Sequence, residues 1–218
     1  MVSSIAWLGT SAAAAAAAVL YFHLRRTGRG IPAAFFCLYF LLPFAAGGFH
    51  SHVSFAVSWI LALHLIHISR KTGNFRFICN ISSIAVISVV LGYFFAIFWA
   101  ADRGMALFGI SRFFPMLLLM LVYMQHSREE RRYYLTLLPL SGALMTVLSC
   151  LFLLIPGAER YLTVYSRLTG FLQYPNTFAA FLLAGLIIRN REAACRKTEY
   201  LIDALLILGI LLSGSRTC

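Results

Sequence analysis

Long apolar runs separated by short basic clusters are the feature that most limits what this chain can fold into. Of the 218 residues, 61% are hydrophobic and only 11% are charged. A soluble domain is about 45–50% apolar and about 25% charged, so the chain cannot cover a soluble fold with polar surface. A helix of about 20 residues crosses a bilayer, so eight helices use roughly 160 residues and leave only short connections. The sequence predicts an all-α protein, a polytopic transmembrane helical bundle of about eight spans, as a single domain over residues 1–218.

The eight predicted spans follow one another closely. In chain order they are Ile5–Leu24, Ile31–Phe49, Val53–Ser69, Phe77–Ala100, Met105–Gln125, Leu135–Ile155, Pro175–Ile188 and Tyr200–Leu212. The first contains a run of alanines, which favours a smooth, closely packed helix face. Arg112 interrupts the fifth, so we expect that span to begin as an interfacial turn near Phe113.

The positions of the basic residues predict the orientation of the chain. The net charge is +11, but the bases lie between apolar runs rather than on one nucleic-acid-binding face. The connections after the first, third, fifth and seventh spans carry 13 of the 18 Lys and Arg residues. The positive-inside rule assigns those connections to the cytoplasm. We therefore expect a multi-pass protein of the cell membrane, with membrane lipids and no nucleic acid as partners, and with the N-terminus and the Arg167 and Arg216 segments outside.

The histidines, the cysteines and one aspartate are the candidate residues for metal binding or catalysis in or near the spans. His64 and His67 lie three residues apart and share a helix face. A metal usually needs a third ligand, no acid lies in that span, and the five cysteines form no CxxC pair. The sequence therefore predicts no metal site and no cofactor. We expect Asp203, near the inner end of the last span, to be solvated or paired with Arg196 or Lys197.

The stretch around the seventh span has the composition of an anion site. Arg167 offers a charged fork that matches phosphate oxygens. Pro175 and Asn176 open an apolar helix, whose first N–H groups and positive dipole end suit a phosphate. Thr177 adds a neutral donor, and Arg216 reaches the same predicted face from the end of the eighth span. These residues predict a pyrophosphate site, with binding of anionic lipid head groups as the alternative.

The same stretch resembles the O-antigen ligase and O-antigen polymerase-like membrane proteins. The pattern R-x-x-G-x-x-x-x-P-N-x-x-A runs from Arg167 to Ala179, and the Ser215-Arg216 pair closes the eighth span. The specific part of the resemblance covers residues 167–216. It implies a glycosyltransferase that moves a glycan from undecaprenyl pyrophosphate to an acceptor at the outer face, in cell-surface polysaccharide biosynthesis and without a metal.

The resemblance also implies roles for individual residues. Arg167 and Arg216 would be catalytic, gripping and neutralising the pyrophosphate leaving group. The implied substrate-binding residues are Gly170, Pro175, Asn176, Thr177 and Ser215. The choice between ligase and polymerase stays open, because it depends on the acceptor.

One feature of the family has no counterpart in the sequence. The family carries a histidine on a large external loop after further spans, and none of the six histidines of this chain lies downstream of Arg216. We therefore expect the chain to be the truncated N-terminal part of a longer ligase-like protein, without the general base and inactive by itself. The alternative is a non-enzymatic polytopic membrane protein, either a solute transporter or an assembly scaffold.

Overall fold

The computed structural model describes most of the chain. The described residues are 32–44, 51–172, 174–190 and 197–215, together with Ser11, Ala14, Ala15, Ala18, Val19, Tyr21 and Phe22. Most of the first predicted span, the predicted partner Arg196 and the predicted site residue Arg216 lie outside them. Helices dominate the described residues, so the all-α prediction is confirmed.

The described elements begin with a short helix, α1 (Ala33–Phe36), which continues as a π-helical turn (Cys37–Leu41) and a 3-10 turn (Leu42–Phe44). The longer helices follow: α2 (Ser51–Thr72), α3 (Ile81–Ala96), α4 (Arg103–Gln125), α5 (Arg128–Leu135) and α6 (Leu137–Phe152). The remaining elements are α7 (Glu159–Leu162), β1 (Thr163–Val164), β2 (Arg167–Leu168), α8 (Pro175–Asn190) and α9 (Lys197–Ser213).

Three helical stretches of the described chain are long and apolar enough to cross a membrane. They are Val53–Thr72, Arg103–Gln125 and Arg128–Phe152. Shorter apolar helices occupy Ile81–Ala96, Pro175–Arg189 and Tyr200–Ser213. Six of the predicted spans therefore coincide with apolar helices, of which three have the full length.

The second and fifth predicted spans differ from the structure. The described part of the second span ends in a π-helical turn followed by a 3-10 turn. Pro43 favours this change, because it lacks an N–H and its ring crowds the carbonyl one turn earlier. The fifth was predicted to begin near Phe113, which is wrong, because α4 runs unbroken from Arg103. Asp102 stabilises that start because its Oδ1 accepts hydrogen bonds from the N–H groups of Gly104 and Met105, at 2.8 and 3.1 Å. The long side chain of Arg112 is exposed, so one charge does not end the helix.

The chain divides into two compact units, the first formed by residues 1–47 and 132–218 and the second by residues 48–131. In the first unit, α6, α8 and α9 pack against one another around the buried side chains of Met145, Leu182 and Leu206. A Cβ atom at Gly142 of α6 would lie 2.9 Å from both leucines. The absence of that atom lets the three helices approach closely, as small residues do between membrane helices.

In the second unit, α4 packs against both α2 and α3. Near the C-terminal ends of α2 and α4 the chain is held by paired hydrogen bonds, in which Arg76 N donates to Gln125 Oε1 at 2.9 Å and Gln125 Nε2 donates to Arg76 O at 2.8 Å. Leu118 and Val122 of α4 are buried in the same half of that helix. The two long helices are therefore in close contact toward their C-terminal ends.

Candidate functional site

A short hairpin fixes the backbone of Arg167. Val164 of β1 pairs with Arg167 of β2. The two residues of the turn, Tyr165 and Ser166, both have left-handed backbones, with φ of 51° and 60°. Two consecutive positive φ values are typical of the tight turn that matches the twist of a hairpin. Leu168 anchors the second strand, since only 3% of its surface is exposed.

Gly170 leads the chain from the hairpin to the start of α8. Its φ is +55°, and a Cβ atom there would lie 2.8 Å from the ring of Phe178. Phe178 is fully buried on the first turns of α8. Gly170 and Pro175 are both buried and shape the start of α8, and their predicted role in binding substrate stays a prediction.

The start of α8 is open to solvent on the side of its polar residues. Pro175 is the first residue of the helix, where its missing N–H costs little. The first hydrogen bond of the turn runs from Phe178 N to Tyr174 O at 3.0 Å. Asn176 and Thr177 lie before that bond and are exposed. Their backbone N–H groups belong to the first turn, which has no carbonyl partners inside the helix.

The guanidinium group of Arg167 joins three segments. Its Nε donates to the carbonyl of Ser213, the last residue of α9, at 2.9 Å. Its Nη2 donates to Oδ1 of Asn176 at 2.9 Å. Ser215 lies beside this contact, since its backbone N–H donates to Oγ of Ser213 at 3.2 Å. The structure thus brings the predicted residues Arg167, Asn176 and Ser215 to one place, and their role in binding stays a prediction.

The charge of Arg167 has no opposite partner among the described residues. Both oxygens that accept from it, on Ser213 and Asn176, are neutral. A guanidinium has five N–H donors, so the two bonds leave three donors and the full charge for another ligand. This end of the helix pair therefore favours an anion.

The opposite end of the same helix pair contains an arginine with its charge compensated. Arg189 of α8 donates to both carboxylate oxygens of Asp203 on α9, at 2.5 and 3.1 Å. The two side chains are 14% and 33% exposed. Asp203 was predicted to be solvated or paired with Arg196 or Lys197, whose side chains lie outside the described residues. The structure shows a different partner, because the antiparallel packing of α8 and α9 brings Arg189 beside Asp203.

Sequence reasoning missed a histidine contact in the second unit. The rings of His64 and His126 stack with their centres 5.8 Å apart. Nδ1 of His126 lies 3.5 Å from the Glu130 carboxylate. Burial lowers the pKa of the His126 imidazole, and the Glu130 carboxylate acts against that shift. Spacing along one helix pointed to His67, whereas the actual neighbour comes from the end of another helix.

Some predicted features lie elsewhere or outside the described chain. Thr177 is on the exposed first turn of α8, and among the described residues Arg167 bonds to Asn176 and Ser213 instead. Arg216 is outside the described residues. Within the described ranges, no three His, Cys, Asp or Glu side chains are grouped so that they could hold a metal ion. The chain matches no family profile, no curated protein and no solved structure.

Proposed function

We propose that this chain is an O-antigen ligase- or polymerase-like membrane protein that binds an undecaprenyl pyrophosphate-linked glycan at the outer face of the cell membrane. The observation that carries the proposal is the guanidinium of Arg167, held at the start of α8 by two neutral oxygens with no described carboxylate to compensate it. A rigidly held cation beside a helix N-terminus is suited to a phosphate group.

In this proposal the residues of the site have different tasks. Arg167 offers parallel N–H donors to phosphate oxygens, and charge-assisted bonds of this kind are among the strongest in proteins. The first-turn N–H groups at Asn176 and Thr177 supply further donors and the positive end of the helix dipole. When the glycan leaves, negative charge grows on the pyrophosphate, and a positioned cation stabilises that charge. We assign Arg216, one position after Ser215, as the second cation.

The proposal includes about eight spans, with the N-terminus and the Arg167 and Arg216 segments outside. Helices α3 and α8 have 16 residues each and α9 has 17. Such helices are about 24–26 Å long at 1.5 Å per residue, shorter than the roughly 30 Å hydrocarbon core. Exposed apolar residues extend α3 on both sides, Phe77 and Ile78 before it and Phe98 and Trp99 after it. The antiparallel pairing of α8 and α9 supports a common face for Arg167 and the end of α9.

A binding experiment tests the anion site directly. The purified 218-residue chain in lipid nanodiscs is titrated with undecaprenyl pyrophosphate, undecaprenyl phosphate and undecaprenol. We expect affinity to fall in that order, because the bonds involve phosphate oxygens. Arg167→Ala should weaken pyrophosphate binding roughly 10- to 100-fold, the range for hydrogen bonds to charged groups. Undecaprenol binding should not change.

Arg160→Ala is the matched control. Arg160 is an exposed arginine on α7, in the same connection as Arg167, and its side chain makes no hydrogen bond within the described part of the chain. It should leave binding of all three lipids unchanged. Equal affinity for undecaprenol and the pyrophosphate, or equal losses in the two variants, would contradict the anion site.

A further inference from the structure

The turn between β1 and β2 has a strained backbone at both of its residues. Tyr165 and Ser166 have φ of 51° and 60°, in the left-handed region. Glycine, asparagine and aspartate adopt this conformation readily, whereas a bulky side chain such as that of tyrosine disfavours it. Within the described ranges, these two are the only residues other than glycine with a positive φ. The turn therefore has a conformation that its own sequence does not favour.

The strands on both sides hold this turn in place. Val164 pairs with Arg167 across the hairpin. Beyond the strands, Thr169 N donates to Leu162 O at 2.8 Å. Leu162 and Leu168 anchor the hairpin from below, since only 4% and 3% of their surfaces are exposed. The position of the turn relative to the backbone of Arg167 is therefore fixed.

The ring of Tyr165 does not offset the strain by packing within the described chain. Tyr165 is 94% exposed, whereas Tyr161 in the same connection is 38% exposed. Backbone strain that local packing does not explain is concentrated at binding sites, where it fixes a group for a ligand. The turn thus presents an aromatic ring to a contact from outside the described chain.

The anion site lies directly beside this ring in the chain. Tyr165 precedes Arg167 by two residues, so their Cα atoms are at most about 8 Å apart. The guanidinium of Arg167 is held in turn by the Ser213 carbonyl and the Asn176 amide oxygen. A group attached to a phosphate on Arg167 is therefore within reach of the Tyr165 side chain.

We propose that the Tyr165 ring stacks against the first sugar of the lipid-linked glycan, the hexopyranose attached directly to the pyrophosphate. This inference rests on the proposed function and names the part of the substrate that the hairpin turn recognises. One face of a pyranose carries several C–H groups, which suit the negative face of an aromatic ring. A ring on a fixed turn holds such a sugar at a set distance from Arg167. Tyrosines also anchor proteins in the membrane interface, but an anchor requires no strained backbone.

Binding of two lipids by the purified chain tests the stacking contact. Undecaprenyl pyrophosphate, either bare or carrying one N-acetylglucosamine, is titrated against the chain in lipid nanodiscs. We expect the sugar to raise the affinity roughly three- to tenfold, the range of an aromatic contact. Tyr165→Asn should remove that gain, and the bare pyrophosphate should bind this variant as it binds the unaltered chain. Asparagine is a suitable replacement because it adopts the left-handed backbone and so keeps the turn.

Two further variants separate the ring from its hydroxyl and from the rest of the connection. Tyr165→Phe keeps the ring and should keep the gain in affinity from the sugar. Tyr161→Asn makes the matched change on α7 and should keep the gain as well. A sugar that adds no affinity in the unaltered chain, or equal losses in Tyr165→Asn and Tyr161→Asn, would overturn the stacking contact.

The same titrations distinguish failure of this inference from failure of the anion site. If the sugar adds no affinity while Arg167→Ala still weakens binding of the bare pyrophosphate, only the stacking contact is overturned. If the bare pyrophosphate does not bind the unaltered chain, both proposals are overturned.

A fluorescence measurement distinguishes contact with the sugar from contact with the membrane interface. Replacing Trp7, Trp59 and Trp99 by Phe removes the three tryptophans of the chain, and Tyr165→Trp then places a single reporter at the turn. The lipid that carries N-acetylglucosamine should change the emission of this reporter more than the bare pyrophosphate does. Nanodisc lipids with brominated acyl chains should leave the emission largely unquenched. Strong quenching by these lipids with no response to the sugar would overturn the proposal, because the ring then lies in the membrane interface.

Discussion

Among the described residues, each end of the α8–α9 pair has one arginine, and the two arginines are held in different ways. Arg189 donates twice to the Asp203 carboxylate, so its charge is compensated. Arg167 donates to the Ser213 carbonyl and to the Asn176 amide oxygen, so that end keeps its positive charge. The same residue type therefore fastens the helices at one end and, in our proposal, receives a ligand at the other. The difference lies in the acceptor and not in the arginine.

The largest expected effect separates the two arginines by function. Arg167→Gln keeps a polar side chain but removes the charge. In membranes where the protein transfers a lipid-linked glycan to an acceptor, this variant should cut that transfer at least about 100-fold, the scale of losing one positioned charge contact. Arg189→Gln should leave transfer per folded molecule within about twofold, because its charge is already compensated. Similar losses in both variants would remove the functional distinction between the two ends.

The second-largest expected effect is a loss of stability at the end of the helix pair that contains the Arg189–Asp203 pair. Asp203→Ala leaves the mostly buried Arg189 without its carboxylate and should lower the free energy of unfolding by about 2 kcal/mol. Asn176→Ala removes one exposed neutral acceptor from Arg167 and should cost less than about 1 kcal/mol. Reversible unfolding of both variants in mixed micelles measures the two values. A larger loss of unfolding free energy in Asn176→Ala than in Asp203→Ala would mean that the bonds of Arg167 stabilise the helix pair more than the Arg189–Asp203 pair does.

A third variant gives Arg167 a carboxylate acceptor, like the one that Arg189 has at the opposite end of the helix pair. Asn176→Asp gives Arg167 a carboxylate partner and should add at most about 1 kcal/mol of stability, because the pair is exposed. It should also weaken undecaprenyl pyrophosphate binding about tenfold, since the ligand then competes with a fixed anion. Thr177→Asp is the control, which adds the same charge on the same exposed turn. An equal loss in the control would show general repulsion rather than competition for Arg167.

The smallest expected effect is a response to salt. Raising NaCl from about 0.05 to about 0.5 M shortens the screening length and should weaken pyrophosphate binding severalfold. The contribution of the Arg189–Asp203 pair should change by less than about 0.3 kcal/mol, because mostly buried pairs are screened less. The first value comes from titration and the second from a double-mutant cycle. Equal sensitivity of both would contradict the difference in exposure between the two ends.

Much of the helical pattern could be predicted from the sequence. The apolar runs at Val53–Ser69, Met105–Gln125 and Leu135–Ile155 correspond to the three stretches long enough to span a membrane. The ends of these helices were predicted less well, because capping residues determine where a helix begins. Asp102 is the capping residue at the start of α4. The change of pitch before Phe44 and the hairpin at β1 and β2 depend on local backbone geometry that hydropathy does not report.

The candidate site was partly predictable for a physical reason. Alternating spans return to the same face, so the order of spans alone brought Arg167 and the Ser215 segment together. Which side chains touch depends on the rotation of each helix about its axis, which the sequence does not specify. The Arg189–Asp203 pair and the stacked rings of His64 and His126 were missed for that reason.

The bond from Arg167 to the Ser213 carbonyl joins residues 46 positions apart in the chain, which has a consequence for biogenesis. The ribosome makes the hairpin and α8 well before it makes the end of α9. Arg167 therefore lacks this acceptor until α9 has been synthesised and has paired with α8. In a nascent chain arrested before residue 213, β2 and α8 are present while the carbonyl that holds the guanidinium is not. The proposed anion site is thus completed late in synthesis, once the end of α9 has been made.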